Sequence, residues 1–132
     1  MKNNFKISTL LHASPERIYK AWLNSKEHSA FTGNTAKATS RKGGAFSAWD
    51  NYIIGKNIEL VPFKRIVQSL RSTDFPVNVA DSHLELLLEK SNKGTKLTLI
   101  HSNIPEGQAD SYKQGWKDFY FKPMKKYFSK SE

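Results

Sequence analysis

The sequence predicts an α+β fold in which an antiparallel sheet is laid against one long helix near the C-terminal end. Three observations carry this. Gly33, Gly43, Gly44, Gly55, Pro62, Pro76, Gly94, Pro105 and Gly107 cut the chain into short segments. The middle segments alternate apolar and polar residues with the period of two that strands require. Residues 108–129 instead repeat aromatic residues at helical spacing.

Residues 4–13 read as a strand, with Phe5, Ile7 and Thr9 alternating with Lys6, Ser8 and Leu10. Ser14-Pro15 then opens a helix, because the Ser hydroxyl can accept free N–H groups and Pro suits the first helical position. Ile18, Ala21 and Trp22 form its apolar stripe. Asn24-Ser25 breaks that helix and caps a second short one ending near Gly33. Strands follow at 45–50 around Phe46 and Ala48, at 52–60 around Ile54, Ile58 and Leu60, and at 65–72. A hairpin joins 82–90, with Leu84, Leu86 and Leu88 on one face, to 95–102, where Leu97, Leu99 and His101 share a face. Asp50-Asn51, Val61–Lys64 and Ser91–Gly94 supply turns. In the last helix Tyr112, Trp116, Phe119, Tyr120, Pro123, Met124, Tyr127 and Phe128 make the stripe. Lys113, Lys117, Lys122, Lys125, Lys126 and Lys130 cover the rest, and Pro123 predicts a kink or one loosened turn. At 1.5 Å per residue such a helix exceeds roughly 30 Å, enough to cross a domain. A sheet curling around it leaves a gap between the two, and that gap is the expected place for a site.

Composition narrows the function. The length, 132 residues, predicts one domain over 1–132 and no second catalytic domain. With no cysteine, disulfides, thiolate metal sites, cysteine nucleophiles and iron–sulfur clusters are excluded. No apolar run approaches the roughly 20 residues that span a bilayer, and the start lacks a signal-peptide core, so a soluble, cytoplasmic protein is expected. The net charge is +9, from 21 Lys and Arg against 12 Asp and Glu. Lys outnumbers Arg and no nucleic-acid-binding pattern occurs, so nucleic acid is not an expected partner. Residues 34–72 hold Lys37, Arg41, Lys42, Lys56, Lys64, Arg65 and Arg71 against Asp50 and Glu59. That basic stretch reads either as a docking surface for an acidic protein or as a solvated edge guarded by lysines.

Catalytic signatures are missing. His12, His28, His83 and His101 have no metal-ligand spacing, so no metal is expected. Glu85 and Glu89 read as solvated and Asp50 as a turn residue, which leaves no carboxylate pair for acid–base work. No serine lies in a G-x-S-x-G context, and Gly43-Gly44 is no phosphate loop. The expectation is therefore no enzyme, no catalytic residue and no cofactor. On the strand faces turned to the helix, His101 is either a polar group meeting a ligand or an interior histidine bonded within the protein; Gln68 has the same two readings. Trp116, Phe119, Tyr120 and Met124 read as core whose stripe also roofs the gap.

Several segments resemble the family named for the activator of heat-shock protein 90 ATPase. They are Ala13–Trp22 (ASPERIYKAW), Gly43–Asp50 (GGAFSAWD), Gly55–Pro62 (GKNIELVP), Arg65–Arg71 (RIVQSLR), Gly94–His101 (GTKLTLIH) and Tyr112–Trp116 (YKQGW), in order along nearly the whole chain. The resemblance implies the helix-grip (START-like, Bet v 1-like) fold: a curved antiparallel sheet around a long C-terminal helix, in the order β-α-α-β6-α, often with an apolar cavity. It further implies kinship with stand-alone members, because the eukaryotic co-chaperone carries a separate N-terminal domain for which this sequence has no residues. Asn51 stands where such sequences usually have Gly, and Leu70 where they usually have Trp, a change that repacks or widens the space the indole would fill. The expected function is a non-enzymatic module holding a small hydrophobic ligand between sheet and helix. Phe46, Leu70, Leu84, Leu86, Leu97, Leu99, Trp116 and Tyr120 would supply apolar contact, and Gln68 and His101 would orient it. The alternative is a co-chaperone-like protein docking on heat-shock protein 90.

Overall fold

The computed structural model describes residues 3–129; Lys130, expected on the last helix, lies outside them. The elements are β1 (Phe5–Leu11), α1 (Pro15–Trp22), α2 (Ser25–Thr32), β2 (Ala45–Ala48), β3 (Ile53–Val61), β4 (Arg65–Ser72), β5 (Ser82–Ser91), β6 (Gly94–Ser102), α3 (Ala109–Trp116), a π-helical turn (Lys117–Phe121) and α4 (Lys122–Ser129). The class is the expected α+β arrangement. Among the described residues five strands rather than six follow the helices, giving one antiparallel sheet ordered β1-β6-β5-β4-β3-β2. Residues 34–44 and 73–81 lack alternation and add only an isolated bridge between Lys37 and Ser47.

Local chemistry sets the helix ends. Ser14 Oγ accepts the Arg17 N–H at 3.1 Å, with Pro15 in the first turn of α1. Asn24 Oδ1 accepts the Glu27 N–H at 2.9 Å and starts α2, which ends at Gly33 in the left-handed conformation, φ 75°. Ile18, Ala21 and Trp22 of α1 are buried, as their spacing predicts.

Inward-facing residues form rows across the sheet. One row runs Asn57, Gln68, Leu84, His101 and Phe5 on successive strands β3, β4, β5, β6 and β1. A second carries Ile66, Leu86 and Leu99. Leu84, Leu86, Leu97 and Leu99 are all but fully buried, and each such side chain contributes about 1.5–3 kcal/mol. On the outer strand Phe46 lies opposite Gly55 and close over it: a Cβ there would come within 2.5 Å of the Phe46 ring and 1.9 Å of the Ser69 carbonyl oxygen. Only glycine lets the aromatic lie down on the sheet at that point.

The C-terminal helix is continuous but not uniform. Its buried face recurs at Trp116, Tyr120, Met124 and Phe128, with half-buried Tyr112 ahead of them, always four residues apart. A regular α-helix turns about 40° past a full circle in four residues, so this stripe would wander about 160° from Tyr112 to Phe128. The π-helical turn, in which the Lys122 N–H bonds the Lys117 carbonyl, inserts one residue and takes back about 100°. The loosened turn expected from Pro123 thus falls just before the proline, which has no N–H to offer the Phe119 carbonyl.

Candidate functional site

A cleft of about 640 Å³ lies between the first half of this helix and the sheet. Ile53 and Leu70 form its floor, Trp49, Tyr52 and Asp74 come from the connecting turns, and Gln108, Ser111, Tyr112, Gly115, Trp116, Phe119 and Tyr120 form the helical wall. Two local features open it. Gly115 has no side chain, and a Cβ built there would meet nothing nearer than Phe119 Cδ2 at 3.9 Å. Leu70 occupies the position where related sequences were expected to carry a larger indole.

A strained turn shapes the mouth. Trp49, Asp50 and Asn51 take φ values of 55°, 55° and 71° in succession, the left-handed region that side chains other than Asn and Asp rarely enter. Such a conformation costs on the order of 1–3 kcal/mol for a residue like Trp. In return the Trp49 ring stands edge-on to Phe119 at 5.8 Å and to Tyr120 at 6.0 Å.

Polar groups gather toward one end. The Tyr52 hydroxyl donates to the Asp74 carboxylate, and the Tyr112 and Ser72 hydroxyls share a hydrogen bond. Burial, then the Asp74 carboxylate, hold the Tyr52 phenol well above its ordinary pKa. Gln108 Nε2 donates to the Asp74 main-chain carbonyl at 3.1 Å. That bond fixes which end of the amide is nitrogen, and the opposite atom, Oε1, is buried without a hydrogen-bond partner among the described residues.

Of the residues singled out from sequence, Leu70, Trp116, Phe119 and Tyr120 line the cleft; Phe119, read as core, is instead exposed at its mouth, while Met124 is buried in the core. Phe46 is folded onto Gly55, and Leu84, Leu86, Leu97 and Leu99 are packed in the core. Gln68 and His101 face inward but bond within the protein. Trp22 Nε1 donates to Gln68 Oε1 at 3.3 Å, and Gln68 Nε2 donates to Asn57 Oδ1 at 2.8 Å. Trp116 Nε1 donates to His101 Nδ1 at 3.1 Å, which places the imidazole proton on Nε2; that N–H meets Ser82 Oγ at 2.8 Å, and Ser82 donates onward to the Leu70 carbonyl at 2.9 Å. His28 mirrors this in the opposite tautomer: its Nδ1 donates to the Trp22 carbonyl at 2.9 Å and its Nε2 accepts from the Tyr120 hydroxyl at 3.0 Å. Burial lowers both imidazoles to a pKa of about 4, with His83 adding to the effect on His101, so both are neutral at pH 7. Trp49, Tyr52, Asp74, Gln108, Ser111 and Gly115 were not found from sequence; they reach the cleft from turns and from the helix start, where no periodicity marks them. Among the described residues no three His, Cys, Asp or Glu side chains gather as a metal site, and no helix is long and apolar enough to cross a membrane.

Residues 12–129 match the model of the family described as Activator of Hsp90 ATPase homolog 1-like protein. The chain is 29% identical over 115 residues to the human Activator of 90 kDa heat shock protein ATPase homolog 1, covering 87% of this chain and 34% of the relative. It is 27% identical over 127 residues to the Dictyostelium discoideum homolog, covering 96% and 33%. It thus spans about a third of the length of these curated relatives. Among solved structures, an HSP90 activator from Plasmodium falciparum superposes with a TM-score of 0.85 at 24% identity over 96% of both chains. A protein from Chromobacterium violaceum gives 0.78 at 25% identity over 96% of both. These likenesses carry the helix-grip fold.

Proposed function

The chain belongs to the Activator of Hsp90 ATPase homolog 1-like family, and from that premise we propose that it is a non-enzymatic binding module whose cleft takes a small, largely apolar molecule. The observation that supports this reading is the cleft itself: about 640 Å³, walled by Trp49, Tyr112, Trp116 and Phe119, with a buried amide oxygen lacking a donor. Removing apolar surface from water there would drive binding at roughly 25 cal/mol per Å² before entropic losses. A binding role rather than catalysis is favoured because both ring nitrogens of His28 and of His101 are engaged by protein groups.

The test is a titration of intrinsic fluorescence, since Trp49 and Trp116 line the cleft, with naphthylmethanol as a neutral apolar probe. Quenching with saturation, and a raised Tm, are expected. Gly115→Leu and Leu70→Trp fill the cleft from opposite walls and should each abolish the response. A native protein that shows no saturable response, or variants that bind as well as it does, would end the proposal.

A second reading rests on the relatives, which are named as activators of the 90 kDa heat shock protein ATPase. The outward face of β3 would be the docking surface, because Ile54 and Ile58 are exposed there beside Lys56. Titration against heat-shock protein 90 should then give binding at low ionic strength that weakens as salt rises. No binding at low salt removes this reading.

A further inference from the structure

We infer that the cleft selects amphipathic amines, taking an aromatic body against its walls and an ammonium group against Asp74. This rests on the ligand-binding reading above and specifies its chemistry.

Charge placement is the first ground. A chain with 21 Lys and Arg against 12 Asp and Glu sets, among the described residues, no Lys, Arg or His into the wall of this cleft, and one carboxylate, Asp74, at its rim. The basic excess lies elsewhere. Arg71, the cation nearest in sequence, is held by the Val79 and Pro76 carbonyls and by Asp81. Asp74 makes no ion pair among the described residues. Its main chain is pinned at both ends: the N–H donates to Ser72 Oγ at 3.1 Å and the carbonyl accepts from Gln108 at 3.1 Å. The carboxylate, which can accept about four hydrogen bonds, takes one from the Tyr52 hydroxyl.

The second ground is the Gln108 amide. Because Nε2 is committed to the Asp74 carbonyl, the group left over is an acceptor, buried and without a donor. The polar end of the cleft thus holds acceptors, the Asp74 carboxylate at the rim and the Gln108 amide oxygen buried nearby, and the accessible one, the carboxylate, calls for N–H or O–H on the ligand. A carboxylate or phosphate ligand would set acceptor against acceptor and charge against like charge. An ammonium supplies three donors and the opposite charge, and Trp49, Tyr52 and Phe119 offer aromatic faces that favour a cation further. The net charge of the whole chain opposes a cation only at long range, and salt screens that repulsion over about 8 Å at physiological ionic strength.

The experiment compares three probes of one shape: naphthylmethylamine, naphthylmethanol and naphthoate, each titrated by fluorescence at pH 7 into the native chain, Asp74→Asn and Gly115→Leu. The amine should bind about tenfold tighter than the alcohol, with naphthoate weakest, as one charge-assisted contact in a partly enclosed site provides. Asp74→Asn, an exposed and nearly isosteric change, should weaken the amine far more than the alcohol and bring the two to within about twofold of each other, with Tm little moved. In the native protein, raising the pH past the probe amine's own pKa should remove the preference without any substitution. Naphthoate binding as tightly as the amine overturns the inference, and so does an amine preference that survives Asp74→Asn. Three equal affinities, all abolished by Gly115→Leu, overturn it and leave the cleft reading standing. No binding of any probe to the native chain removes both.

Discussion

The C-terminal helix covers two different interiors. Under α4 the space is filled: Met124 and Phe128 are buried in a cluster with Leu11, Ile18, Phe31, Leu97 and Leu99, and the Arg17 guanidinium lies 5.4 Å from the Phe128 ring. Just before it, Trp116 and Tyr120 pack at 4.7 Å and Trp22 and Tyr120 at 5.2 Å, and their polar atoms find protein partners. Under α3 volume is missing, at Gly115 above and Leu70 below, and one buried amide oxygen goes unbonded. The two regions share a helix and a sheet. They differ in whether side chains and hydrogen bonds close on themselves, and the one that does not close is the one that can recognise something else.

Acid should break the filled region first. Both buried histidines have folded pKa values of about 4 against 6.5 for the free side chain, so between these values the unfolded chain binds more protons. Stability is therefore whole above pH 6.5, falls as pH drops toward 4, and changes little from this source below it. Each imidazole accounts for about 3 kcal/mol over that window. Urea midpoints measured from pH 7.5 to 4 should follow this slope, and His101→Gln, which keeps an acceptor for Trp116, should roughly halve it. A slope unchanged by that substitution would remove His101 from the account. Next in size, Phe128→Ala should cost about 3–5 kcal/mol in urea unfolding, as expected for an aromatic lost from a filled core. The smallest effect belongs to the open region: Phe119 is 57% exposed, and Phe119→Ala should cost less than about 1 kcal/mol while weakening naphthylmethanol binding several-fold. Equal stability losses at positions 119 and 128 would erase the contrast between the regions.

Much of the fold was legible because it is local. Ser14 and Asn24 announce helix starts by their hydrogen-bonding atoms, and the strands and the aromatic stripe announce themselves by period. The π-helical turn left a signal too: a stripe recurring at every fourth residue from Tyr112 to Phe128 cannot stay on one side of a regular α-helix. The cleft was less legible. Its Leu70, Trp116 and Tyr120 follow from period, but Trp49, Tyr52 and Asp74 sit in turns whose position depends on how the sheet bends. Gln68 and His101 could be placed on inward faces, yet their partners, the indoles of Trp22 and Trp116, lie 46 and 15 residues away in sequence. Which reading of such a side chain holds, ligand contact or internal bond, is decided by those distant neighbours.

The extra residue wound into Lys117–Phe121 makes the chain unequally tolerant of changes in length. Deleting one residue there would restore regular winding and leave everything downstream facing the same way, because the π-helical turn already takes up the roughly 100° of one extra residue. A deletion in the regular turns of α3 has nothing to absorb it and would swing everything beyond it by about 100°, carrying Met124 and Phe128 toward water. A deletion among the exposed residues of the 76–78 loop would leave the register of helix and sheet unchanged. Descendants of this sequence are therefore free to lengthen or shorten at their loops, and to lose one residue from these five, but must keep count along the regular turns on either side.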